Sequence, residues 1–169
     1  MITDSGVTRR MTNMLLSWLG DENRRCFIVG TTNLLSDIDP AFLRPGRIDE
    51  IIPVLWPDYE ARVEILRIHT SVIRRVPLAD DVSLEELAAR TYMWTGDELE
   101  KLVTEAQALA MVEGAEKVTM DHFVEALEAR SHAIRVEERE RRLKLMLREL
   151  QGMNVNMAFL QKALACWRR

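Results

Sequence analysis

Three polar residues near the start of the chain have types and spacing suited to contact with a phosphate group. Asn33 follows an apolar run over 25–30 whose length and composition predict a buried strand. Open α/β sheets place ligand-contacting residues at the carboxyl ends of their strands, which is where Asn33 lies in this prediction. Arg44 and Arg47 flank a Pro-Gly pair a short loop later, where a rigid turn would fix the direction of both guanidinium groups. Arginine suits phosphate because its guanidinium group is planar, permanently charged and able to donate two parallel hydrogen bonds.

Each of these residues also has a simpler interpretation. Asn33 on its own could cap a turn, and Arg44 and Arg47 could be surface charges beside a Pro-Gly turn.

Two apolar segments are expected to form the strands that position this site. They span 25–30 and 50–55, and the second contains Pro53, which has no amide proton for a ladder hydrogen bond. We therefore expect the second strand to lie at a sheet edge or to end early. Two strands of this length do not make a stable sheet alone.

Helical periodicity dominates the rest of the sequence. A helix is predicted over 7–19, and another from Trp56 to about Ile73. The apolar stripe of that second helix consists of Ile65, Leu66, His69 and Ile73. Three further helices are predicted to begin at the cap residues Ser83, Thr95 and Thr119. Beyond 131, a helix dense in both charges and a last apolar helix are predicted.

Composition limits the classes of protein that the sequence can represent. The chain has 169 residues, of which 47% are hydrophobic and 30% charged, which is typical of a globular protein. Its net charge of −4 gives no general electrostatic attraction to nucleic acid. The arginines over 135–148 are interleaved with glutamates, which indicates a solvated helix instead of a nucleic-acid surface.

The same inventory excludes several kinds of site. Two cysteines are too few for a disulfide framework or a zinc site, and no metal site is predicted. His122 and His132 lack partners at ligand spacing, so we expect both to be solvated. No apolar run is long enough for a membrane helix, and no signal peptide is visible. These features predict a cytoplasmic location.

The stretch from Val29 to Asp49 resembles the second region of homology of the AAA family of P-loop ATPases. That family's pattern is Gly-Ala-Thr-Asn, followed by Asp-x-Ile-Asp-Pro-Ala-Leu-Leu-Arg-Pro-Gly-Arg-x-Asp, and this sequence departs from it at Thr31, in place of alanine, and at Phe42, in place of leucine. Further segments that resemble the family lie over 56–70, 78–88, 95–99 and 118–123. The resemblance covers about residues 7–131 and is nearest to segregases like the valosin-containing protein and to proteasome-activating ATPases.

The resemblance implies a role for each residue that matches a family motif. Asn33 matches the sensor-1 residue, which orients the attacking water and senses the γ-phosphate. Arg44 and Arg47 match arginine fingers, which reach the ATP of the neighbouring subunit and stabilise charge in phosphoryl transfer. His69 matches a histidine beside the adenosine, although a packed core histidine is nearly as good an interpretation.

Gly96 and Asp97 match the lid's sensor-2 segment, where the backbone approaches the base and the ribose. The nearest branch of the family has alanine at the position of Asp97, so the acidic side chain is a departure from its pattern.

The fold class implied by the resemblance is mostly α with a small α/β remnant. We expect the end of a P-loop NTPase parallel sheet, then an AAA helical-bundle lid, then C-terminal helices. The corresponding domains are 1–56 for the end of the α/β subdomain, 57–131 for the lid and 132–169 for an extension outside the resemblance. The apolar stripe of that extension, at Leu143, Met146, Leu147 and Leu150, is either a partner seam or packing against the lid.

The resemblance also implies a cofactor and partners. The complete protein would use ATP or ADP with Mg²⁺, assemble with other AAA subunits in a ring, expected to be a hexamer, and remodel or unfold protein substrates. Neither a Walker A nor a Walker B pattern occurs in the 169 residues, and by resemblance the chain begins just after Walker B would end. We therefore expect the chain alone neither to hydrolyse ATP nor to hold nucleotide tightly.

The sequence leaves two other functions open. The chain could be a truncated, non-catalytic interaction module that docks on intact AAA subunits. It could also be part of a membrane-anchored AAA protease, but the His-Glu-x-x-His zinc motif of such an enzyme is absent from the sequence.

Overall fold

The computed structural model describes residues 5–131, 134–151, 153 and 155–167. Over these residues the regular structure is helical. The α-helices are α1 (Ser5–Leu19), α2 (Tyr59–Arg67), α3 (Leu84–Arg90), α4 (Gly96–Glu113), α5 (Met120–Ser131), α6 (Val136–Glu149) and α7 (Met157–Trp167). A 3₁₀ turn spans Leu35–Asp37, and a π-helical turn, Ile68–Ile73, continues α2. In the part of the chain so described, no helix is both long and apolar enough to span a bilayer.

The chain divides into two compact units. The first unit comprises Met1–Pro53 with Lys144–Leu160, and the second comprises Val54–Leu143 with Gln161–Arg169.

The second unit is built around one apolar core that α2, α3, α4 and α5 share. In α4 the buried positions recur every three or four residues, as the sequence predicts. The completely buried apolar side chains of this core include Leu66, Leu87, Ala88, Leu99, Leu102, Val103, Ala106 and Phe123. Each large one contributes about 1.5–3 kcal/mol to folding by leaving water, so this core fixes the positions of the helix ends around it.

Two of the predicted helix starts in the second unit are confirmed by their capping contacts. The side chain of Ser83 accepts a hydrogen bond from the amide of Glu86 at 3.1 Å. Thr95 and Glu98 form a reciprocal capping box at the start of α4. At the other end of α4, Gly114 adopts a φ of 70°, the left-handed conformation that ends a helix with little strain in glycine.

The end of the second predicted helix differs from its expected register. The helix does reach Ile73, but its last part is a π-helical turn in which Thr70 is completely buried. The Thr70 hydroxyl donates to the carbonyl of Leu66 at 2.8 Å. Ile73, expected on the buried stripe, is 61% exposed. A π turn holds more residues than an α turn, so it rotates the following side chains away from the original stripe.

Two loops of the second unit meet in a short parallel bridge. Leu78, ahead of α3, pairs with Val118, ahead of α5. The amide of Ala79 donates to the carbonyl of Val118 at 2.9 Å, and the amide of Val118 donates to Pro77 at 2.8 Å. The bridge therefore holds together segments that are far apart in sequence.

The strands predicted over 25–30 and 50–55 are not formed among the described residues, which corrects the expected α/β remnant. The only pairing that the described part of the first unit supplies is a parallel bridge between Ile51 and Val155. Phe27 and Val29 are 93% and 75% exposed. An apolar run becomes a strand only when a second segment pairs with its backbone along its length, and one bridge does not do this. The mostly helical fold is confirmed, whereas the sheet remnant is not.

Helix α1 confirms the helix predicted over 7–19, but its apolar face is largely uncovered. Leu19, at its end, is buried. The exposed apolar side chains of α1 are Met11, Met14, Leu15 and Trp18.

Candidate functional site

The two candidate arginines lie in a compact loop of the first unit that spans 39–49. The loop begins with Asp39, whose carboxylate accepts a hydrogen bond from the amide of Ala41 at 2.8 Å. Its carbonyl accepts from Phe42 at 2.9 Å, and the carbonyl of Pro40 accepts from Leu43 at 3.1 Å. An aspartate before a proline favours this kind of turn, so the sequence itself dictates the start of the loop.

The second half of the loop is closed by a glycine turn. Gly46 has a φ of 84°, a conformation that strains any residue with a Cβ atom. Its amide donates to the carboxylate of Asp49 at 3.1 Å. The amide of Ile48 donates back to the carbonyl of Phe42 at 3.2 Å, which joins the two halves. Backbone hydrogen bonds therefore hold the segment between the two arginines in a defined shape.

The two arginines of the loop lie in different environments. Arg47 is half-buried, and its Nη1 donates to the carbonyl of Ala41 at 2.6 Å, so its guanidinium group is held against its own loop. Arg44 is exposed, and its side chain forms no hydrogen bond or ion pair with the described residues. The loop thus presents one free guanidinium group next to one that is anchored.

Asn33 lies in the same unit, in an exposed bend before the 3₁₀ turn. The neighbouring Thr32 shapes this bend, because its hydroxyl accepts from the amide of Leu34 at 3.1 Å and donates to the carbonyl of Leu34 at 2.9 Å. The amide side chain of Asn33 has no hydrogen bond to the described residues.

His69 lies in the π-helical turn of the second unit. Its Nδ1 atom is buried and has no hydrogen-bond partner within the described residues. Buried polar atoms are almost always paired, since an unpaired one costs about 1–3 kcal/mol. The Nδ1 atom of His69 is therefore available to a polar partner from outside the described residues.

Gly96 and Asp97 form the first turn of α4, directly after the cap residue Thr95. A Cβ atom added to Gly96 would meet nothing within 4 Å, so the backbone here borders open space. Asp97 is exposed and pairs with Lys101 across one helical turn at 2.7 Å. Helix α4 contacts both α2 and the π-helical turn, so the elements that carry His69, Gly96 and Asp97 pack together.

His122 was expected to be solvated, and the structure shows that it is 5% exposed. Its Nδ1 accepts a hydrogen bond from the amide of Thr119 at 2.9 Å. That bond places the proton on Nε2, which lies 2.9 Å from a carboxylate oxygen of Glu113. The spacing Thr119-x-x-His122 is that of a capping box with histidine in place of glutamate, which is the signal that the sequence analysis missed. His132 lies outside the described residues.

One buried arginine also escaped the sequence analysis. Arg62 is 5% exposed, and its Nε and Nη1 donate to the carbonyls of Ala88 and Pro57 at 3.0 and 2.9 Å. Burial lowers the pKa of its guanidinium group, an effect that nearby Asp58 partly opposes. Arg62 therefore ties the start of α2 to the end of α3, a structural role that its charge alone does not reveal.

Two family models match the sequence in separate regions. Residues 2–55 match the ATPase family associated with various cellular activities (AAA). Residues 81–125 match the AAA+ lid domain. The first region includes the loop with Arg44 and Arg47, and the second includes Gly96 and Asp97.

Curated proteins with several different names are similar to this chain. A proteasome-activating nucleotidase of Methanocaldococcus jannaschii is 44% identical over 126 residues, which cover 74% of this chain and 29% of the relative. An ATP-dependent zinc metalloprotease FtsH of Syntrophotalea carbinolica is 43% identical over 116 residues, covering 68% and 18%. A cell division cycle protein 48 homolog of Archaeoglobus fulgidus is 38% identical over 162 residues, covering 86% and 22%.

The chain spans only a fraction of the length of these three relatives, from 18% to 29%. The two family matches nevertheless together cover more than half of the chain. Together with relatives that share up to 48% identity, they show that the chain belongs to the AAA ATPase family.

Proposed function

We propose that this chain supplies the sensor-1 residue, the arginine fingers and the lid of an AAA ATPase that works in a ring and remodels or unfolds proteins. The observation that carries the proposal is the loop over 39–49, which presents the exposed Arg44 beside the anchored Arg47. The Walker A and Walker B motifs would come from a part of the complete protein outside these 169 residues.

The difference between the two arginines fits action on a neighbouring subunit. A free, permanently charged guanidinium group on a rigid loop is suited to an anion outside its own unit. The γ-phosphate of ATP on the next subunit is such an anion, and Arg44 would stabilise the charge that it gains during transfer. Arg47 would hold the loop in place through its hydrogen bond to the carbonyl of Ala41 and would add its own positive charge.

The lid residues fit the adenosine end of the nucleotide. A polar ring that approaches this turn would form a hydrogen bond with the unpaired Nδ1 of His69 and would occupy the open space beside Gly96. ATP with Mg²⁺ would supply the phosphoryl group, and in this chain Asn33 would orient the attacking water.

Protein substrates follow from the same proposal. One relative is named for activating the proteasome, and a second is named as an ATP-dependent protease. This sequence has no His-Glu-x-x-His motif of its own, so we assign it no proteolytic step.

The finger assignment can be tested in a chimera. The whole of this chain would replace the matching region of the Archaeoglobus fulgidus relative, with which it shares 38% identity over 162 residues. We expect Arg44→Ala and Arg47→Ala each to lower ATP turnover by about 10³-fold, the value typical of an arginine finger. Arg25→Ala, at an exposed position in the same unit, is the matched control and should leave turnover unchanged.

Mixing of variants then tests action between subunits. Rings that combine Arg44→Ala subunits with subunits lacking a Walker B glutamate should recover part of the lost turnover, because some interfaces regain both parts. Turnover that is unaffected by either arginine substitution would contradict the proposal. Inhibition of the intact relative by the added chain, with no gain from the chimera, would instead support a docking module.

A further inference from the structure

The segment that joins α3 to α4, residues 91–95, contains a residue with a strained backbone conformation. We refer to it as the α3–α4 connection. Met93, at its centre, adopts a φ of 64° although it is not glycine. Its side chain is completely buried, as is that of Thr91, two residues earlier. A segment in this conformation keeps it only when surrounding contacts enforce it.

Arg139, on α6, contacts both the centre of the α3–α4 connection and the first turn of α4. Its Nη1 donates to the carbonyl of Met93 at 2.6 Å and to a carboxylate oxygen of Glu98 at 2.7 Å. Its Nη2 donates to the other carboxylate oxygen of Glu98 at 2.5 Å. One guanidinium group therefore links the strained residue to the first turn of α4, with the two-pronged geometry that only arginine provides.

Glu98 extends this contact into the capping box. The carboxylate that Arg139 binds also accepts from the amide of Thr95 at 2.8 Å and from its hydroxyl at 3.0 Å. The side chains of Arg139 and Glu98 are only 19% and 20% exposed, so water competes weakly for them. Arg139 thus holds the group that starts α4.

A neighbouring residue of α6 adds a second contact. The hydroxyl of Tyr92 donates to the carboxylate of Glu140 at 3.3 Å. Two consecutive residues of α6 therefore reach the α3–α4 connection. The lid family model ends at residue 125, so α6 lies beyond the region that the model describes.

We propose that Arg139 is a positioning residue whose hydrogen bonds to Met93 and Glu98 hold the α3–α4 connection against α6. We call this set of contacts the clip. It fixes the position of the first turn of α4, where Gly96 and Asp97 would face the nucleotide. The clip itself stands on the contacts above, and only its effect on nucleotide rests on the proposed function. If so, α6, the charged helix of the extension, contributes to the function of the lid.

Hydrogen exchange of the intact chain tests the clip without nucleotide. In Arg139→Met we expect the amides over 93–98 to exchange about tenfold faster, because local opening becomes easier. Arg141→Met, an exposed arginine on the same helix, is the matched control and should leave those amides unchanged. Glu98→Gln should act like Arg139→Met. Equal exchange in Arg139→Met and Arg141→Met would overturn the clip.

The chimera then tests the effect on nucleotide. Arg139→Met should raise the KM for ATP about tenfold with kcat within about twofold, and Arg139→Lys should restore KM only in part, because an ammonium group cannot hold both Met93 and Glu98 in the same way. An unchanged KM together with faster exchange would overturn the nucleotide effect alone. If Arg44→Ala leaves turnover intact, the proposed function fails, whereas the exchange result stands by itself.

Discussion

Met93 combines two properties that rarely occur in one residue. Its φ of 64° belongs to the left-handed region, which costs a residue with a Cβ atom about 1–2 kcal/mol. Its side chain is completely buried, which contributes about 1.5–3 kcal/mol in return. The strained backbone is therefore maintained by the burial of its own side chain as well as by Arg139.

This balance predicts an unusual order of stability among substitutions. Met93→Ala and Met93→Gly both lose the buried side chain, but only glycine adopts the left-handed conformation without strain. We expect Met93→Gly to be more stable than Met93→Ala by about 1 kcal/mol in urea unfolding.

Thr104, exposed in the middle of α4, provides the matched comparison for Met93. There the order should reverse, with alanine more stable than glycine by about 1 kcal/mol. The same order at both positions would contradict the strain assigned to Met93.

At the scale of single residues, the sequence singles out candidates only where the chemistry follows from local neighbours. Arg44 and Arg47 could be singled out because a Pro-Gly turn and a motif surround them. Arg139 could not, because its partner Glu98 lies 41 residues away and nothing in a charged helix distinguishes one arginine from another. The unpaired nitrogen of His69 likewise depends on packing that no local pattern records.

Helices were predictable from this sequence because their signals are local. A period of three to four residues and a cap residue suffice to place α3, α4 and α5. The prediction of strands over 25–30 and 50–55 was wrong for the described residues, because a strand depends on a second segment for its hydrogen bonds. The π-helical turn escaped because the apolar stripe looks the same until the register shifts after Thr70.

The start of α5 provides a test of an unusual cap. His122→Ala removes the acceptor for the amide of Thr119, so we expect a loss of about 1 kcal/mol in the free energy of unfolding. His122→Gln retains a polar group at the capping-box position and should keep most of that stability. Glu125→Ala, exposed on the same helix, serves as the control and should change stability little. Equal losses for alanine and glutamine would mean that burial, and not capping, explains the role of His122.

The second unit as a whole should lose stability in acid through one carboxylate. Burial alone would raise the pKa of Glu98, but hydrogen bonds from Arg139 and Thr95 outweigh it and lower the pKa to about 2. The unfolded chain has the ordinary value, so it binds this proton first as the pH falls. The stability due to Glu98 is therefore complete above the ordinary pKa and is lost as the pH falls towards about 2.

The size of this effect can be measured by urea unfolding between pH 7 and pH 2. The lowering of the pKa of Glu98 corresponds to at most about 3 kcal/mol at neutral pH, and solvent screening of this partly exposed pair reduces that figure. Glu98→Gln should therefore be less stable than the parent chain at pH 7 and should show a shallower loss below pH 5. Parallel curves for the two chains would show that other carboxylates cause the acid unfolding.

The bridge between Leu78 and Val118 makes the intervening chain a closed loop. The entropy lost on closing a loop grows only slowly with its length, by about 0.6 kcal/mol for each doubling. The exposed stretch over 114–117 lies just inside that closure, beyond the end of α4. Extra residues inserted there would lengthen the loop at little cost and leave the bridge and the core in place. The lid therefore has a position at which new sequence can be added without loss of the fold.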